Sequence, residues 1–491
     1  MRSSSAGFLG AVGFVQIARV PDFGICTDTS LFIFNGVPIG LNVTALKAQP
    51  DELEGVIVRI RPLLKGTALL AGAALLATGW VAKAAPPPPA DPPASGAVPG
   101  WTDFLDGLRD LPDRILARLP EEQRNDPQIR QEVGRLALSA VAAATLDALA
   151  GDPDHPVFLP QINNYITTGQ PNADTNYRSA KIAPGGVYRL RGRRGSMNQA
   201  RVAEAGPRPK QVEGTVNLGK PRPVHDLNTL KIDAEGRYDV ILSPTRPDGY
   251  TGDWWPLDPT SNMLLVRMVG SEWGKEVEPT LSIERLDIPA TRPRPAAATL
   301  EASLRSIATS ADFIAPLLVD RPQKLRAEGY INQLKDVDFS QMGGLAGQFY
   351  YEGVYELKDD EALIVETRLP EHCTYRSLIL TNQIYETTDW YNNQSSLNGA
   401  QAAADNDGVL RIVVSARDPG VPNWLDTAGY STGVIQGRWM ECSSKPVPTI
   451  RKVALADVKR SLPPETPTIS AQERDKRLRD RRSVLQQRPL W

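Results

Sequence analysis

Arg237-Tyr238-Asp239-Val240-Ile241-Leu242-Ser243 is a short run of β-branched and aromatic residues, and it reads as a strand. Runs of the same kind follow at Asn262–Met268 and Thr280–Leu286, and one precedes it at Gly186–Gly192. Regularly spaced strands without helices between them predict an antiparallel sandwich or jelly roll. A second set of strands recurs further on, at Gly353–Leu357, Ala362–Arg368, Tyr375–Leu380, Leu410–Ser415 and Gly433–Trp439. Asn406-Asp407-Gly408 marks a tight turn before the fourth of these.

Helical patterns frame the two sets. Trp101, Phe104, Leu105 and Leu108 have helical spacing, and Asp126, Pro127 and Gly151 supply the N-cap, first-turn and stop chemistry of one amphipathic helix. A further helical stretch runs from Leu300 to about Leu334, and Ser470-Ala471-Gln472-Glu473 is a capping box opening a charged C-terminal helix. The expected fold is mainly β with helical additions: two antiparallel β-sandwich or jelly-roll domains, a helical N-terminal segment, inter-domain helices and a C-terminal helix. The corresponding boundaries are 101–151 helical, 152–290 first sandwich, 291–340 connector, 341–450 second sandwich and 451–491 tail.

Chain length and composition agree with that plan, since 491 residues exceed one ordinary core and Gly 39 with Pro 42 suits many turns. The formal net charge is -2, which provides no field for drawing nucleic acid, so no nucleic-acid partner is expected. Only His155, His225 and His372 are present, too few for a His-rich metal centre, and neither a metal nor a cofactor is expected.

Upstream, Val58-Arg59-Ile60-Arg61-Pro62-Leu63-Leu64-Lys65 leads into an apolar run, Gly66 to Trp80, that closes on Ala82-Lys83-Ala84. A basic stretch, a short apolar core and small residues two apart are the parts of a secretory signal, here 58–84 with cleavage after Ala84. The expected location is the periplasm or the extracellular space, with no stable membrane span after processing. A single-span anchor is the competing reading of the same run. Residues 85–100 form a Pro-rich spacer, and residues 1–57 read as an over-extended gene model. In an oxidising compartment Cys373 and Cys442 can pair across 69 residues; the alternative is two separately buried thiols.

Trp390, Ser396-Leu397-Asn398-Gly399, Asp407-Gly408, Asp418 through Gly429 and Gly437-Arg438-Trp439 together resemble the bacterial family known as domain of unknown function 1214. The phrase Asn172-Ala173-Asp174-Thr175-Asn176-Tyr177 is similar to the start of the upstream β-rich part in its longer members. The resemblance spans roughly Asp152 to Trp439 and implies β-sandwich folds, with no established reaction and no catalytic residue to carry over. This chain departs from the family pattern at Tyr430, where a histidine is expected.

Ligand-binding chemistry is expected where polar groups stand beside flat aromatic faces in loops: Asp253, Trp254 and Trp255, then Tyr385, Trp390, Asn392 and Asn393. Trp424 with Asp426, Arg267 and Arg438 add carboxylate and guanidinium groups. Each tryptophan has an equally ordinary use in closing a sandwich core. Asp174, Tyr177 and Arg178 read as turn residues that bond their own backbone. Two functions follow. One is a binding protein for a carbohydrate or small amphiphile, the other a periplasmic lyase or hydrolase using carboxylates with Tyr or Arg. They separate on whether two or more of Asp253, Arg267, Asp426 and Arg438 converge in one water-accessible pocket with a tyrosine. Catalytic residues and oligomeric state are not readable from the sequence.

Overall fold

The computed structural model describes residues 28–34, 37–43, 98–207, 222–339, 344–345 and 347–489, in two units divided after Pro86. In the N-terminal unit β1 (Asp28–Phe34) and β2 (Val37–Val43) form an antiparallel hairpin. The signal-like run 58–84 and the spacer up to residue 97 lie outside the described residues.

The second unit begins with four helices: α1 (Trp101–Arg109), α2 (Leu111–Leu116), α3 (Glu121–Asn125) and α4 (Pro127–Ala150). The predicted cap of α4 is present, with the Asp126 carboxylate accepting from the backbone N–H groups of Gln128 and Ile129. Eight strands follow: β3 (Thr175–Lys181), β4 (Tyr188–Arg193), β5 (Gln199–Ala205), β6 (Val224–Asp226), β7 (Arg237–Ser243), β8 (Asp253–Pro256), β9 (Met263–Val269) and β10 (Ser282–Arg285). They make two sheets, β3-β9-β5-β6 and β10-β4-β7-β8. Alternation along each strand sends Val202, Leu264 and Val266 from one sheet, and Tyr188, Leu190, Val240 and Leu242 from the other, into one core.

Helix α5 (Ala297–Ala327) then crosses to the second sandwich. It starts three residues earlier than Leu300 and ends seven before Leu334, where Gly329 at φ 85 and the short strand β11 (Lys335–Val337) take over. The second set is β12 (Gln348–Glu356), β13 (Glu361–Arg368), β14 (Cys373–Leu380), β15 (Ser396–Asn398), β16 (Val409–Ser415), β17 (Trp424–Asp426), β18 (Thr432–Cys442) and β19 (Thr449–Ala454). Its sheets are β11-β12-β18-β14-β15 and β17-β16-β13-β19, so the second sandwich runs on to Ala454. Their shared core joins Tyr355, Leu380, Ile435 and Trp439 to Leu363, Val365, Ile412 and Val414.

Set in chain order, the two sandwiches have one plan. Strands one, seven, three and four of each set form one sheet, and strands eight, two, five and six form the other. Both plans include a parallel pair, β7 with β8 and β16 with β17, within otherwise antiparallel sheets. The Asp253–Pro256 segment, expected as a loop, is thus the parallel edge strand β8. The cysteine question also resolves: Cys373 and Cys442 face each other in the β14–β18 ladder and are bridged.

Helices α2, α4 and α5 cover one end of the outer face of the β12–β18 sheet, where Leu111, Val133, Leu136 and Val319 pack on Val354 and Val434. Both α4 and α5 are long and apolar enough to cross a bilayer by length and composition; the apolar residues just named are buried against the second sandwich. The outer face of the first sandwich's β3-β9-β5-β6 sheet covers the other end, through Val269 and Val224 against Tyr375 and Met440. After α6 (Val458–Ser461), the predicted capping box of Ser470 and Glu473 opens α7 (Ala471–Gln486). This helix lies across both sandwiches. Arg474 binds Asp418 and Gln394 of the second, while Leu485 packs with Ala173, Ile379 and Trp390.

Candidate functional site: a side mouth in the first sandwich

In the first sandwich β3 ends one sheet and β10 ends the other; among the described residues neither edge has a further strand beside it, β3 carrying only an isolated bridge from Leu159 to Ser179. The gap between them opens a cleft of about 810 Å³ into the sandwich core. That size lies within the range of roughly 300–1,000 Å³ usual for sites that enclose small ligands. Its wall is apolar, made by Met197, Met268, Leu281 and Ile283 from between the sheets and by Val484 from α7. Two methionines give that wall an adaptable surface.

The rim is charged. Arg178 leaves β3 toward the core, is nearly buried, and donates to the carbonyls of Tyr177 and Pro489 at 2.8 Å each. Arg488 donates to the Ala173 carbonyl at 2.8 Å, and its Nη2 is buried with no hydrogen-bond partner among the described residues. Both guanidiniums are pulled below their ordinary pKa by burial. On the facing loop, burial raises the Glu276 and Glu278 carboxyls, despite nearby arginines that work the other way. Asn176 donates to Glu278 and ties the loop to β3. A smaller pocket of about 30 Å³ adjoins, room for roughly one water, and is lined by Trp390 and Tyr391 as well as Arg178 and Arg488.

Behind the rim stands Trp273. The guanidinium of Arg481 lies 4.5 Å from its ring centroid and that of Arg488 lies 5.0 Å away. Such cation–π contacts gain strength when the cation is desolvated, and burial lowers Arg481 to about 9. The indole N–H of Trp273 donates to Asp174 at 2.9 Å. Asp174 is 1% exposed and also accepts from Asn398 at 2.6 Å and from the Tyr375 hydroxyl at 2.8 Å. Burial raises its carboxyl above the usual range, and these donors and the two arginines oppose that rise. Asp174 is therefore no local turn residue. It joins the first sandwich to the second across a seam.

The seam continues inward from Tyr375 along the outer face of β14, β18 and β12. Arg438 sits between Tyr350 and Ser377 in the strand register, and Glu352 lies opposite Gln436. Glu352 accepts from Arg321 and, at 3.0 Å, from the Tyr385 hydroxyl. Burial drives the Tyr385 phenol well above its ordinary pKa, and Glu352 adds to the effect.

The residues expected to bind ligand divide between these places. Tyr385 and Arg438 meet in the seam, and Trp390 lines the small pocket beside the cleft. Arg267 is paired in register with Tyr177 and Arg201 on the seam-facing side of β9. Asp253, Trp254 and Trp255 are on the far edge of the first sandwich. Asp253 accepts from the Lys231 backbone N–H, Trp254 donates to Ser243, and Trp255 is buried against the His225 ring. Trp424 fills a core and donates to Ser415; Asp426 caps the Ala428 backbone in β17, on the opposite sheet from Arg438. Asn392 and Asn393 bond Asp389 within one turn. Tyr430, the departure from the family pattern, bonds Arg135 and Asn382. None of the four groups set as a test of convergence lines the cleft or the small pocket beside it. Met197, Arg178, Glu278 and Arg488, absent from the sequence candidates, are the residues that shape the cleft.

Among the described residues, no cluster of His, Cys, Asp and Glu is placed to hold a metal ion. No family model matches the sequence, and no curated protein matches it. Among solved structures the chain is similar to an uncharacterized protein from Burkholderia cenocepacia, 27% identical, with TM-score 0.67 over 73% of this chain and 98% of that one. A weaker likeness, 11% identical with TM-score 0.37, is to the VPA0106 protein from Vibrio parahaemolyticus, over 71% of this chain and 100% of that one.

Proposed function

We propose that this is an exported cell-envelope protein, related to the domain of unknown function 1214 family, that holds a small amphiphile in the side mouth of its first sandwich. The observation that carries the reading is an apolar cleft of about 810 Å³ ending at Arg488, whose Nη2 lacks a partner among the described residues. An alkyl chain gains by leaving water for the wall of Met197, Met268, Leu281 and Ile283. An anionic head matches Arg178 and Arg488. The carbohydrate alternative has less support, because Trp254, Trp255 and Trp424 spend their faces and N–H groups on packing.

A lyase or hydrolase is the second reading, and the contact between Asp174 and Tyr375 favours it as an acid–base pair. The bridge between Cys373 and Cys442 suits an oxidising compartment and supports export through a signal at 58–84 with cleavage after Ala84. Thermal titration with alkyl carboxylates of increasing length tests the amphiphile reading. A midpoint that climbs with chain length, and a loss of that climb in Arg488→Leu, are expected. Equal midpoints with all lengths would reject it. Conversion of a bound amphiphile would turn the reading into the enzyme one.

A further inference from the structure

Arg438 presents a different problem from the cleft. It is 4% exposed, and its Nη2 donates to two neutral amide oxygens, those of Gln436 and Gln170. Its Nη1 is buried with no hydrogen-bond partner among the described residues. The carboxylate of Glu352 is occupied by Arg321, Tyr385 and Gln436, and that of Asp174 by Trp273, Asn398 and Tyr375. Among the described residues no carboxylate bonds Arg438 directly, and an interior guanidinium is costly to bury without one.

The guanidinium carbon lies 5.5 Å from the Tyr350 ring centroid, and the phenols of Tyr375, Tyr177 and Tyr385 are close by. The hydroxyls of Tyr350, Tyr375 and Tyr385 donate to Gln348, Asp174 and Glu352, which leaves donation at this place to Arg438 Nη1 and Gln170 Nε2. Burial holds Tyr375 and Tyr385 well above their ordinary pKa, so both are neutral hydroxyls at any physiological pH. Gln170 Nε2 is a second buried donor with no partner among the described residues, and it belongs to the side chain whose oxygen already binds Arg438. Across the seam, on β5, Gln199 is 1% exposed, with both its amide nitrogen and its amide oxygen without a hydrogen-bond partner there.

Backbone conformation singles out the same place. Gln170 at φ 52 and Tyr385 at φ 66 both occupy the left-handed region, which is unfavourable for a residue with a Cβ. Each directs its side chain into this one cluster, Gln170 to Arg438 and Tyr385 to Glu352 and Gln436. Two separate loops thus hold left-handed residues whose side chains meet the hydrogen-bond network of Arg438, directly from Gln170 and through Gln436 from Tyr385.

We infer that the seam between the sandwiches is a binding site for one small monovalent anion, halide or short carboxylate in size, held by Arg438 Nη1 and Gln170 Nε2. The anion supplies the missing counter-charge and locks the two sandwiches together. This site is separate from the side mouth, and its failure leaves the amphiphile reading untouched.

The test uses the full chain in two measurements. Crystals soaked in bromide should give an anomalous peak within hydrogen-bonding reach of Arg438 Nη1 and Gln170 Nε2. In solution, the thermal midpoint should be higher in chloride, bromide or acetate than in gluconate at equal ionic strength, gluconate being too large to enter. Bromide against acetate distinguishes a halide site from a carboxylate site. Gln170→Gly relieves the left-handed strain while removing one donor; it should fold, lose the anion-specific rise and lose the bromide peak. Arg438→Met should behave likewise if it folds. Equal midpoints in all four anions, or a seam that holds only water beside Arg438 in bromide crystals, would overturn the inference.

Discussion

The two sandwiches share one strand plan, and they differ at one edge and in one covalent tie. In the first, no further strand among the described residues runs along β3 or β10, β3 meeting only the isolated bridge from Leu159 to Ser179, and the gap between them is the cleft. In the second, the strand matching β3 is β12, and β11 pairs along it through Lys335–Val337 opposite Tyr350–Glu352. The second sandwich also carries the Cys373–Cys442 bridge between β14 and β18; the matching pair in the first, β5 and β9, has none. One copy of the plan is thus closed and stapled, and the other is left with an entrance. A sandwich core is reachable only where an edge is uncovered, so the open copy is the one able to admit a ligand.

The comparison can be broken first at the joint between the copies. Asp174→Ala leaves the Trp273 indole, the Asn398 amide and the Tyr375 hydroxyl without their acceptor in a buried seam. A loss of about 3–5 kcal/mol is expected, of the size seen when one member of a buried charged network is removed. Chemical denaturation should show it, with the single transition splitting in two as the sandwiches uncouple.

Cutting the staple comes next. Cys373→Ala with Cys442→Ala should cost about 2–4 kcal/mol through the second sandwich alone, so the thermal midpoint falls while the amphiphile-dependent shift persists. A smaller effect belongs to the entrance. Leu281→Trp fills the mouth at β10's start and should weaken amphiphile binding at least about tenfold, near 1.4 kcal/mol, with little change in stability. Calorimetric titration reads both quantities.

The smallest effect is electrostatic and sits in the closed copy. Asp407 is held down to about 2 by its hydrogen bond from Arg411 and the backbone N–H of Val409. A depressed carboxyl stabilises the fold above its unfolded value near 3.8, and that contribution disappears as pH falls toward about 2. Asp407→Asn should lower stability slightly at neutral pH and match the parent at the acid end, in denaturation curves run across that window.

The common plan was partly legible in the sequence. Strands such as Arg237–Ser243 and Glu361–Arg368 carry β-branched residues with the alternation of a half-buried surface, and they form where that pattern places them. Strand β5, Gln-Ala-Arg-Val-Ala-Glu-Ala, alternates too, but alanine gives it little of the signal that valine or isoleucine would. Strand β8 is four residues long, ends in proline and gains its place only through parallel pairing with β7. The capping residues Asp126 and Ser470 were readable because caps act within three residues.

Long-range partners were the illegible part. Asp174 meets Tyr375 across 201 residues and Asn398 across 224, and nothing near Asp174 distinguishes it from a turn aspartate. Tryptophans mislead for the opposite reason: their size makes them conspicuous in any loop, yet Trp255 and Trp424 serve cores. Arginines spaced by seven, Arg474, Arg481 and Arg488, were the available signal for the tail. A polar helix with one repeating cation at heptad spacing has a face to dock, and that face places Arg488 at the rim of the cleft.

The most direct test of the account is a crystal structure of the full chain grown with a medium-length alkyl carboxylate. Alkyl density is expected between β3 and β10 against Met197, Met268 and Leu281, with the carboxylate at Arg488. An empty mouth, or ligand bound instead beside Asp253, Trp254 and Trp255 on the far edge, would contradict it.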